Sequence, residues 1–270
     1  MKYTNLKDYL IAVDLDGTLI KRNLEVDEKS LNLLKTLSKN NYVVLASGRP
    51  WRSSKHIYEK LELNTPIINY NGAYIHSPND SNFKERMHTI PKEELIDVLK
   101  NNKDEILNAF CEIRDDLYVL EMDDLVKPFC DLEGAVLHLG DFSKTLPSNS
   151  NGALLFTKPD SFEKISKYVY ANFSEILLRP WKFGDVYVVE LYNKYISKGE
   201  GVKEICKYYN IEKDKTIAFG DAINDLDMLT NVNIGVAMKG GNPDLLLKTK
   251  YNTKPVEESG IAYFLENFDF

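Results

Sequence analysis

The residues from Tyr9 to Val13 read YLIAV without a polar interruption. Such a run fits a strand buried on both faces better than the alternating pattern of a half-wet one. In the next segment, VDEKSLNLLKTLSKNN, Leu31, Leu34 and Leu37 recur at helical spacing, with Asp27 placed to cap the start and Asn40 and Asn41 to end it. The order then repeats. YVVLA (42–46) predicts a second buried strand, WRSSKHIYEKLEL a second helix, and PIINY (66–70) a third strand. Strand, helix, strand, helix, strand predicts a parallel sheet with right-handed crossovers.

The far end has the same style. SKGEGVKEICKYYNI (197–211) predicts a helix with Val202, Ile205 and Cys206 on one face, TIAFGD (216–221) carries a strand, INDLDMLT begins a helix, and IGVAM (234–238) is another short strand. Both ends therefore read as one α/β domain. Between them, MHTI, FCEI, LYVLEM, AVLHLG, ALLFT, EILLRPW and VYVVELY are β-rich and often alternate, while KEELIDVLKNN and DSFEKISKYVYANF have helical spacing. This mixture predicts an α+β insertion with a largely antiparallel sheet. The linkers are placed at SPNDSN (77–82) and around YNKYIS (192–197), so that residues 1–81 and 190–270 form the core and 82–189 the insertion.

Composition narrows the class. Of 270 residues, 43% are hydrophobic and 28% charged, which suits a folded globular chain and not a disordered one. A formal charge of -7 leaves no basic excess for nucleic acid or an anionic membrane. Cys111, Cys130 and Cys206 are odd in number, far apart and in no CxxC pair, so neither a disulfide framework nor a zinc site is expected. No apolar stretch approaches the roughly 20 residues of a membrane span. These features predict a soluble protein of a reducing, cytoplasmic compartment.

The first strand runs into two aspartates, Asp14 and Asp16. In an open parallel sheet, ligands bind outside the carboxyl ends of the strands. The predicted strands place Asp14 and Asp16 there, with Ser47, Asn71, Asp221, Asn224 and Asp225. Carboxylates gathered in one crevice repel, which calls for a hard cation, and an all-oxygen set suits magnesium.

DLDGT, SGR, a later SKG and GDAIND, in this order and spacing, resemble the four motifs of the haloacid dehalogenase superfamily. The large insertion resembles the type 2 cap of its Cof-type phosphatases, by length and β-rich character alone. The resemblance covers nearly the whole chain, and no motif position departs from it. It implies a doubly wound, mostly parallel Rossmann-like sheet as core, with the insertion as an α+β cap governing substrate choice. It also implies a magnesium-dependent phosphatase acting on small phosphorylated metabolites, sugar phosphates or nucleotide and cofactor phosphates, through an aspartyl phosphate.

On that reading Asp14 is the nucleophile and Asp16 the acid/base. Magnesium rests on Asp14, the main-chain carbonyl of Asp16 and Asp221. Gly17, Thr18, Ser47, Gly48 and Asn224 surround the phosphate, and Lys198 supplies a point charge to it and to Asp14. Asp225 orients the metal shell or Lys198, and Asn71 and Gly72 stand at the substrate entrance. Two alternatives stay open: a sugar phosphomutase resembling phosphomannomutases, and a non-enzymatic sensor resembling a response-regulator receiver. Asp16 and the large insertion argue against the sensor, which needs neither leaving-group protonation nor a lid. His56, His76, His88 and His138 show no ligand spacing, and Cys111 has no base in the pattern. KYVYANF reads as the core stripe of a helix, and Arg179, Trp181 and Lys182 as a charged and aromatic cluster that either touches substrate or forms a surface turn, left outside the site.

Overall fold

The computed structural model describes residues 3–130 and 134–270. The chain divides into two compact units, one of residues 1–49, 54–86 and 197–270, the other of 50–53 and 87–196. It opens with β1 (Leu10–Val13), α1 (Glu28–Leu37), β2 (Tyr42–Leu45), α2 (Trp51–Lys60), β3 (Ile67–Asn69), β4 (Tyr74–His76) and β5 (Arg86–Met87). There follow α3 (Lys92–Asn101), β6 (Ile106–Ile113), β7 (Asp116–Val119), β8 (Leu137–Leu139), α4 (Phe142–Thr145), β9 (Gly152–Thr157), α5 (Phe162–Asn172), β10 (Ile176–Phe183) and β11 (Val186–Asn193). The last part holds α6 (Lys198–Tyr209), β12 (Thr216–Gly220), α7 (Leu226–Asn231), β13 (Ile234–Met238), α8 (Pro243–Lys248), β14 (Tyr251–Thr253) and α9 (Gly260–Asn267).

In the first unit a five-stranded sheet runs β14-β13-β12-β1-β2, parallel at every pairing. A parallel bridge between Ala46 and Ile68 brings β3 alongside β2. β1, β12 and β13 are buried at every residue, as their unbroken apolar runs require when helices cover both faces. Against one face, Val202 and Ile205 of α6 and Met228 and Leu229 of α7 pack on Leu10, Ala12, Val44 and Ala218. In the second unit the sheet runs β10-β11-β9-β6-β7-β8, antiparallel except where β8 joins β7. Helices α3 and α5 cover it through Leu95, Val98, Ile165 and Val169. The fold is α/β with a mostly parallel central sheet, and among the described residues no helix is long and apolar enough to cross a membrane. All three cysteines are free.

Some local expectations give way. Asp27 holds the N-cap position of α1 but caps nothing: its Oδ1 accepts the Ser259 hydroxyl at 2.7 Å, tying α1 to the residue before α9. The third strand stops at Asn69 because Tyr70 and Asn71 turn left-handed, at φ 51° and 54°, and reverse the chain into β4. Arg179, Trp181 and Lys182 are no surface turn; they lie within β10, opposite Glu190, Val188 and Tyr187 of β11. In α5, Ile165 and Val169 are the buried stripe and Tyr170 faces outward.

Gly235 in β13 shows how tightly α7 lies on the sheet. A Cβ there would fall 1.8 Å from the Leu229 carbonyl oxygen, and backbone cannot step aside as a side-chain tip can. Gly235→Ala is expected to destabilise the protein by about 3 kcal/mol, the upper end of overpacking costs, read as a lower urea midpoint; an unchanged midpoint would show that α7 moves freely.

Candidate active site

The pairing of β1 with β12 brings the acids together. Val13 stands opposite Phe219, and the Asp14 N–H donates to the Phe219 carbonyl at 3.0 Å, so Asp14 and Asp221 leave the sheet on neighbouring strands. After Asp14 the chain turns sharply at Gly17, φ +78°. A Cβ on Gly17 would come within 2.2 Å of Asp221 Oδ2, so only glycine lets this turn lie against that carboxylate.

Lys198 begins α6, behind a Ser197 cap whose Oγ accepts the Glu200 N–H at 3.1 Å. Its ammonium is buried and donates to Asp14 Oδ1 at 2.5 Å and Asp225 Oδ1 at 2.7 Å. The other oxygen of Asp225 accepts the N–H groups of Asp221 and Ala222, each at 3.0 Å. Asp225 is thus occupied on both sides.

Burial is the first cause that pushes Asp14 up to about 8, with Asp225 and Asp221 repelling its charge and Lys198 pulling the other way. Asp221 rises to about 6, again by burial first, then by repulsion from Asp225 and Asp16, against the pull of Lys198 and Arg22. Burial alone would lower Lys198, but the charges of Asp14 and Asp225 and their hydrogen bonds hold it above the usual lysine range. The direction that stands is a charged lysine. Three carboxylates, Asp14, Asp221 and Asp225, thus gather around one ammonium. Asp14, Asp221 and Asp225 each have a carboxylate oxygen within 4.8 Å of the others. Since Asp225 is engaged by Lys198 and two backbone amides, Asp14 and Asp221 are the pair that fits a hard divalent cation.

Asp14, Asp16, Gly48, Asp221, Ala222 and Asn224 line a cleft of about 250 Å³, together with a residue the motif reading had passed over, Arg49. Asp16 projects outward, and Arg49 grips it as a fork, Nε to Oδ2 at 2.8 Å and Nη2 to Oδ1 at 2.6 Å. The signal for Arg49 was present in SGR, but a turn arginine alone does not disclose a partner 33 residues away.

Ser47 is buried; its Oγ accepts the Arg49 N–H at 3.1 Å and its carbonyl the Asn71 N–H at 3.0 Å. Asn224 donates to Asn71 Oδ1 at 2.8 Å. Of the residues expected at the phosphate or the entrance, Gly48 and Asn224 line the cleft, whereas Gly17, Thr18, Ser47, Asn71 and Gly72 lie off its lining. Thr18 is fully buried, its hydroxyl without a hydrogen-bond partner among the described residues, because the turn after Gly17 folds it inward. Gly72, at φ +104°, is buried against α6, where a Cβ would lie 2.4 Å from the Ser197 carbonyl oxygen, so it serves close packing.

Removing the ammonium would leave two buried acids facing each other. Lys198→Met is expected to cost about 3–5 kcal/mol at neutral pH, the usual result of breaking a buried pair on one side. The loss should shrink as pH falls and the acids take up protons. Urea melts at pH 5 and pH 8 measure it, and an equal cost at both would contradict the electrostatic account.

Comparison with known proteins identifies the family. Residues 11–265 match the family model described as haloacid dehalogenase-like hydrolase. The chain is 31% identical, over 97% of its length and 98% of the relative's, to the 5-amino-6-(5-phospho-D-ribitylamino)uracil phosphatase YitU of Bacillus subtilis. It is 28% identical to phosphatase YwpJ of the same organism, over 96% of this chain and 99% of that one. Its fold superposes on TM0651 of Thermotoga maritima with a TM-score of 0.81 at 25% identity, covering 97% and 98% of the two chains. The HAD subclass IIB sugar phosphatase BT4131 shares the fold with a TM-score of 0.77 at 22% identity, over 96% and 98%. The chain therefore belongs to the haloacid dehalogenase-like hydrolases, among relatives that are phosphatases.

Proposed function

We propose that the protein is a magnesium-dependent phosphatase of small phosphorylated metabolites, working through an aspartyl phosphate on Asp14. The observation that carries this reading is the buried Asp14 carboxylate, held by Lys198 at 2.5 Å at the edge of a cleft it shares with Asp16 and Asp221. The cation would rest on Asp14, the Asp16 main-chain carbonyl and Asp221. When bound, it neutralises charge between the phosphate dianion and the attacking carboxylate.

The chain's own groups do the rest. Lys198 orients one Asp14 oxygen and shields its charge, which leaves the other oxygen to attack phosphorus in line with the leaving alcohol. Asp16 gives its proton to that departing oxygen and then takes one from the water that cleaves the aspartyl phosphate. For that, Arg49 must let go of Asp16, and a phosphate dianion entering the cleft offers the guanidinium a competing partner. Gly48 presents its backbone at the cleft, and Asn224, braced on Asn71, supplies a neutral donor beside it.

The insertion placed at residues 82–189, most of which falls in the second unit of residues 50–53 and 87–196, is the proposed cap that selects the leaving group. The 31% identical relative is a phosphatase of a phosphorylated ribityl compound, which supports testing sugar, sugar-alcohol and nucleotide-like monoesters first.

A panel of such esters should release inorganic phosphate with magnesium and not with a chelator, and Asp14→Asn should lower kcat by at least about 10³-fold. Wild-type turnover in that variant would remove Asp14 as nucleophile, and an isomerised ester without free phosphate would indicate a mutase.

The raised acids add a pH prediction. Without a cation the folded protein holds protons on Asp14 and Asp221 that the unfolded chain releases near pH 4, so stability from this site falls as pH rises towards about 8. A divalent cation displaces those protons. Magnesium should therefore raise Tm more at pH 8 than at pH 6, and the reverse order would count against the Asp14–Asp221 site.

A further inference from the structure

We infer that Arg22, which belongs to none of the four motifs, is a positioning residue that holds Asp221 in place as a cation ligand; this rests on the reading of Asp221 given above. Asp221 is clamped from two directions. On one side the Gly17 turn presses on its carboxylate, with no room for a Cβ between them. On the other, the turn after β13 packs on its backbone: the Asn242 N–H donates to the Asp221 carbonyl at 2.7 Å, and a Cβ on Gly241 would fall 2.2 Å from that same oxygen.

Arg22 joins these two jaws. Its Nη2 donates to the Gly240 carbonyl at 3.1 Å, across 218 residues of sequence. The segment that carries it is continuous with the first jaw. Gly17 N–H donates to the Ile20 carbonyl at 2.8 Å, Ile20 bridges to Val26, and Lys21 and Glu25 close the hairpin at 2.8 Å. Gly240 sits at φ +86°, directly before Gly241. A pull on Gly240 is therefore transmitted to the Asp221 carbonyl through Gly241 and the Asn242 N–H, and a pull on Arg22 reaches the Asp221 carboxylate through the Gly17 turn.

Two effects of Arg22 on a bound cation oppose each other, which makes the inference decidable. As a nearby positive charge it repels a divalent ion, so its removal would tighten binding if charge were its whole effect. As the tie between the jaws it keeps Asp221 aimed, so its removal would weaken binding. The fixed geometry of the clamp favours the second effect. Arg22 is exposed, so its loss should spare the fold.

The test is Arg22→Met, with magnesium affinity measured by titration calorimetry or thermal shift, independently of turnover. We expect an unchanged Tm without metal and a magnesium Kd raised about threefold to tenfold, below the larger losses seen for direct partners of ligands. An unchanged or tighter Kd overturns the clamp, as does a metal-free Tm that falls along with affinity, which would mean general loosening. A wild-type protein that binds no magnesium would instead remove the reading of Asp221 as a ligand, and the inference with it.

Discussion

One buried ammonium organises this site. Lys198 reaches Asp14 and Asp225, which lie 184 and 27 residues away in sequence, and all three are buried. An ion in that position costs several kcal/mol of lost hydration, which only short, well-aimed partners offset. Small residues bring α6 close enough to provide them. Gly72 lets the chain after β3 touch Ser197, Gly199 donates its N–H to Asp227 at 2.9 Å, and Gly201 would press a Cβ to within 2.9 Å of Ile68. The lysine's position is the sum of these contacts.

From that constraint follows a division among the carboxylates. Asp225 spends its oxygens on Lys198 and on the amides of Asp221 and Ala222, and so shapes the turn after β12. Asp14 keeps one oxygen on Lys198, while Asp221, raised by burial and by its neighbours, has less counter-charge than it needs. Asp16 stands apart, facing solvent with Arg49 on it. Four aspartates thus occupy four electrostatic situations, and environment separates their chemistry.

Much of the architecture was legible because its signals are local. Unbroken apolar runs marked β1, β2, β12 and β13, and the periodicity of Leu31, Leu34 and Leu37 marked α1. Elements set by longer-range packing escaped that reading: β4, α8, β14 and α9 are too short or too mixed in pattern to announce themselves. The same holds at single residues. Asp27 has the composition of a cap, yet Ser259, 232 residues further on, takes its carboxylate. Arg49 lies inside a motif, but its partner Asp16 is found only in three dimensions.

By itself the sequence determined which side chains stand at the carboxyl ends of the strands, since strand periodicity and the motif order follow from nearest neighbours along the chain. Only the tertiary structure decided which carboxylate meets the lysine and which is gripped by arginine. Those choices depend on strand register, helix placement and burial, and each is a distance between residues that the chain keeps far apart until it folds.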